Sequence, residues 1–80
     1  MTIDAKRYEE LCEKRVDLDA RITVHRATGH FALENAERCK RERNYVEWSA
    51  WLAVIEAETA KLKDLSAAYD ALIEEHKALL

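Results

Sequence analysis

Eighty residues with no proline and one glycine, Gly29, leave the chain almost no means of breaking a helix. Proline lacks the amide donor that an α-helix needs, and glycine loses the most backbone entropy on ordering, so these two residues punctuate most folds. Nearly every stretch here is instead rich in Ala, Leu, Glu, Lys and Arg, the strong helix formers. The expectation is an all-α fold of a few long helices with very little loop, in a single helical domain over residues 1–80.

Two apolar stripes at steps of three and four residues support it. The first runs through Tyr8, Leu11, Arg15, Leu18, Ile22, His25, Gly29, Ala32, Ala36 and Cys39. The second runs through Tyr45, Trp48, Leu52, Ile55, Thr59, Leu62, Ser66, Tyr69, Ile73, His76 and Leu80. Both are heptad-like seams of the kind that pack helix on helix. Between them, Asn44 can cap a new helix and Glu47, three residues later, can close a capping box. A turn near 41–44 therefore predicts an antiparallel hairpin of helices at about 3–40 and 44–80. It sets Trp48 against Ala32 and Ala36, Ile55 against Gly29, Leu62 against Ile22 and His76 against Tyr8. A turn at Gly29 would set Trp48 and Leu52 against Glu10 and Lys6, which is poor packing. Gly29 then reads as a small residue at a close approach, with a local bend there as the alternative.

The second helix carries a further apolar row, Trp51, Leu65, Leu72 and Leu79, interrupted by Glu58. Two antiparallel helices are not expected to cover both rows of one arm, so this row needs another partner, either a second hairpin or a different protein. Leu65, Leu72 and Leu79 are accordingly the expected self-association residues, pairing two hairpins into a four-helix bundle as a homodimer.

Chemistry-bearing constellations are sparse. Cys12 and Cys39 are too few for a disulfide framework, and no signal peptide is apparent, which points to reduced thiols and a cytoplasmic location. No apolar run approaches the length of a membrane span. His25 lies on the seam opposite Thr59 and reads as a hydrogen-bonded core residue. His30 and Glu34 share a helical face but lack a third ligand, so no metal or other cofactor is expected. No nucleophile sits beside a base, and neighbouring acids such as Glu9–Glu10 and Glu74–Glu75 point apart, so no enzyme is expected either.

The net charge of −3 argues against a general nucleic-acid binder. Against that background, Arg38, Lys40, Arg41 and Arg43 make a basic cluster beside Tyr45. With Trp51 as an aromatic anchor, these residues form the candidate partner-binding patch at the hairpin tip. In size and style the chain resembles the small helical proteins with which phages block host machinery, a likeness that rests on no family motif. The functional expectation is a non-enzymatic interaction protein that occupies a macromolecular surface as inhibitor or adaptor, with a protein partner and itself as partners. The alternatives are a nucleic-acid-associated protein that uses the basic tip and a purely structural coiled-coil module.

Overall fold

The computed structural model describes residues 4–79. Two helices account for nearly all of them: α1, Ala5–Arg41, and α2, Tyr45–Leu79. They pack against each other as an antiparallel hairpin whose Cα atoms span 64 × 15 × 12 Å. The expected outer bounds at residues 3 and 80, and the seam position Leu80, lie outside the described residues.

Each helix end has a local cause. Asp4 caps α1, its Oδ1 accepting the Arg7 amide at 3.2 Å. At the other end the Asn44 amide reaches back to the Cys39 carbonyl at 2.8 Å, and the Arg43 amide to the Lys40 carbonyl at 3.2 Å. This is the Schellman arrangement, and it puts Arg43 at φ 59°, the left-handed conformation normally left to glycine. Arg38, Lys40 and Arg41 occupy the last turn, where cations offset the negative end of the helix dipole.

The Asn44 side chain starts α2. Its Oδ1 accepts the Glu47 amide at 3.3 Å, and its Nδ2 donates to Glu47 Oε2 at 2.8 Å. A standard capping box would use the Asn44 backbone amide, but that donor is already committed to Cys39. One asparagine thus closes both helices.

The register follows from contacts along the whole seam. Tyr8 meets His76 edge-on with ring centroids 4.7 Å apart. Arg15 Nε donates to the Tyr69 hydroxyl at 3.0 Å, His25 meets Glu58, and Arg38 lies 3.6 Å from Glu47. These fixed points leave Ala32 and Ala36 opposite Trp48 and Trp51, where small residues receive large ones. Leu11, Ala32, Ala36, Cys39 and Leu72 are the buried hydrophobic residues.

One alternative drops out and one expectation needs correction. α1 runs unbroken through Gly29, with no bend that would divide it into two helices. The row Trp51, Leu65, Leu72 and Leu79 is not a separate face. Leu72 is only 6% exposed within the hairpin alone, and the other three are half-buried. The seam of α2 combines this row with Trp48, Ile55, Leu62, Tyr69 and His76. It is Leu52, Thr59 and Ser66 that turn outward. The Thr59 hydroxyl bonds its own helix, at the Ile55 carbonyl, 2.8 Å away.

A Cβ added at Gly29 would meet only Glu58 Cβ, at 3.8 Å, an ordinary van der Waals distance. Gly29→Ala should therefore stabilise the hairpin by about 0.5–1 kcal/mol, the helix-propensity difference. Ala32→Leu, three residues on at a fully buried site, should cost about 1–3 kcal/mol through overpacking. Urea midpoints of the two variants should move in opposite directions; movement in the same direction would contradict the packing.

Candidate functional site

The turn end gathers most of the candidate binding residues. Lys40, Arg41 and Arg43 are exposed, as is Tyr45, whose ring stands edge-on to Trp48 at 6.2 Å. Arg38 is half-buried and committed: its guanidinium pairs with Glu42 at 3.3 Å and Glu47 at 3.6 Å, and donates to Asn35 Oδ1 at 3.1 Å. Those carboxylates dilute the basic character of the tip.

Trp51 is half-buried. It packs edge-on against Phe31 with centroids 5.6 Å apart, and its indole N–H points to Glu47 Oε1 at 3.4 Å. Its polar link thus runs through Glu47 to Arg38. Leu33, Val46 and Leu52 add exposed apolar surface to this half of the hairpin. Phe31, Leu33, Tyr45, Val46 and Leu52 are five of the eight large hydrophobic residues that stand exposed among those described. Exposed apolar side chains and three exposed cations therefore share one end of the rod.

At the middle of the seam lies a second polar feature. Glu58 is 8% exposed, the one buried charged residue among those described. Its Oε2 stands 2.5 Å from His25 Nδ1, which can donate to it, and Lys61 Nζ lies 3.6 Å from Oε1. Gly29 faces Glu58 on the same side of α1 as His25, one turn further along. The hydrogen bond from His25 holds the Glu58 carboxyl below the ordinary glutamate range, and Lys61 acts the same way against the opposing effect of burial. The expected hydrogen bond of His25 is present, and its partner is Glu58.

Among the described residues, no hydroxyl or thiol is hydrogen-bonded to this pair. Cys39 is fully buried, and burial pushes its thiol up, with Glu47 and Glu42 reinforcing the shift and Arg38 opposing it. It behaves as a small hydrophobe. Among the described residues no three His, Cys, Asp or Glu side chains come together to hold a metal ion, and no helix is long and apolar enough to cross a membrane. The concavities are open grooves along the helix pair. One, about 400 Å³, is lined by Lys14, Leu18, Ala68 and Leu72 among others.

No family model, no curated protein and no solved structure matches the chain.

Sequence reasoning passed over Glu58 and Phe31. The signal for Glu58 was an acid at heptad spacing inside a leucine row, with a histidine at the facing position of the other arm. The signal for Phe31 was its spacing of seven from Val24, on a face that the seam does not use.

The depressed Glu58 carboxyl has a consequence for acid stability. The folded state binds that proton more weakly than the unfolded chain, so the contribution is full above the ordinary glutamate range. It is lost as pH falls through the lower folded value. Wild type should exceed Glu58→Gln in urea midpoint at pH 7, and the gap should close below about pH 4. A gap that stays constant from pH 7 to pH 3 would show that the carboxylate form is not what His25 and Lys61 stabilise.

Proposed function

We propose that this protein is a non-enzymatic interaction module that works by occupying an acidic protein surface with the turn end of its hairpin, as an inhibitor or adaptor. The observation that carries the reading is the coincidence of exposed Leu33, Tyr45, Val46 and Leu52 with exposed Lys40, Arg41 and Arg43 at one end of the molecule. Apolar side chains left wet on a small chain offer binding energy, and a rim of cations supplies orientation and faster encounter. Trp51 serves as scaffold for this surface, because it is half-buried against Phe31 and Glu47. Self-association into a homodimer belongs to the same reading, since a single hairpin leaves much of both helices uncovered. A cytoplasmic setting fits two cysteines that are both free.

A nucleic-acid partner is the weaker reading. Arg38 is already paired with Glu42 and Glu47, and the chain carries a net charge of −3. Duplex binding needs a larger cationic surplus.

Affinity capture from source cells should compare wild type with Leu52→Asp and with Arg41→Glu/Arg43→Glu. One protein retained by wild type should be lost with Leu52→Asp. The double charge reversal should weaken that complex about tenfold or more, chiefly through slower association. All three chains should keep the same helical circular dichroism. Identical capture by all three would overturn the reading, as would tight duplex DNA binding that falls steeply between 50 and 200 mM salt.

A further inference from the structure

One face of α1 lies outside the seam. Val16, Ala20, Val24, Ala27 and Phe31 recur at steps of four, four, three and four, which aligns them in one stripe away from the seam residues; Phe31, at the turn-end edge of the stripe, also meets Trp51 of α2. All five are exposed, Val16 at 69%, Val24 at 61% and Phe31 at 58%. The outward face of α2 differs, because Ala50, Ala53, Ala57 and Ala60 present only methyl groups.

The surface area indicates how much cover the molecule lacks. A compact monomer of 9.3 kDa exposes about 5,000 Å². This hairpin exposes 6155 Å², an excess on the order of 1,000 Å² that is close to the roughly 800 Å² each partner buries in a standard interface. The stripe also has the same pattern read from either end: the larger Val16 and Phe31 at the ends, Ala20 and Ala27 inside them, Thr23 and Val24 at the centre. A helix face of that kind can meet itself across a two-fold axis.

We propose that a second copy of this chain covers the stripe, the two α1 helices crossing antiparallel with the two-fold axis beside Val24. Phe31 of each copy lies against Val16 of the other, and Ala20 against Ala27, so that the small residues let the helices approach. The same register brings Glu13 of one copy towards Glu34 of the second at both ends of the apolar block. The inference deepens the self-association part of the reading above but, Phe31 apart, uses a face separate from the turn-end patch. A monomer that still captures its partner would overturn this proposal alone.

Sedimentation equilibrium of the full chain at neutral pH tests it. Wild type should be dimeric at tens of micromolar, and Val24→Glu should weaken the dimer roughly 100-fold or more, because it sets two unpaired charges against each other at the axis. Val24 is exposed and glutamate favours helix, so the helical circular dichroism of this variant should not fall. Glu13→Lys should tighten the dimer a few-fold by replacing a repulsion with an attraction to Glu34. In a Cys12→Ser background, oxidation should link Val24→Cys to itself and should leave Val16→Cys unlinked. A wild type monomeric at 500 µM, a Val24→Glu chain that dimerises as wild type does, or self-linking at Val16 would each overturn the proposal.

Discussion

A carboxylate enclosed between two helices is costly unless a partner stands opposite it, and that constraint organises this hairpin. Glu58 sits near the middle of α2, 8% exposed, with His25 of α1 at 2.5 Å and Lys61 on its rim. An uncompensated charge in such a place is destabilising. Sliding one helix by a heptad would set Glu58 against Leu18 or Ala32 and leave it without its hydrogen bond. Apolar seams tolerate slippage because one leucine resembles another, whereas a single polar pair distinguishes one register from its neighbours.

The ends of the rod agree with its middle. Asn44 closes both helices through its amide and its side chain, which sets where the chain reverses. From there the seam counts outward through Arg38 and Glu47, His25 and Glu58, Arg15 and Tyr69, to Tyr8 and His76. Near the turn the seam is narrow, with the small residues Ala32, Ala36 and Cys39 of α1 buried. Further out it is more polar, and Arg15 lies 5.9 Å from the Tyr69 ring centroid. Consistency between local capping and long-range pairing is what lets so thin a core specify one arrangement.

Much of this was legible in the residues alone. The absence of breakers dictated helices, Asn44 and Glu47 marked the turn, and large-against-small pairing selected the register that the structure adopts. The rotation of α2 was not legible. That helix carries apolar residues on three adjacent rows, and the row through Leu65, Leu72 and Leu79, interrupted by Glu58, looked like a surplus face that needed a second partner. Its burial depends on His25, thirty-three residues away, so no property of α2 by itself could reveal it. Gly29 misled in a milder way: it lies at a helix–helix contact, yet the space there would admit a methyl group. The turn-end patch was visible as a cluster of cations, but not the commitment of Arg38 to Glu42 and Glu47, which depends on side-chain geometry.

Because the core is only two helices deep, the side chains left on the outside matter as much as those within. Their positions all follow from the register, and the register is most directly examined at its central pair. A double-mutant cycle on His25→Ala and Glu58→Ala, read by urea unfolding at pH 7, isolates the interaction between the two side chains from their separate packing. The expected result is a favourable coupling well outside experimental error, with the double variant less destabilised than the two single variants taken together. Strict additivity would contradict the claim that this pair fixes how the helices align.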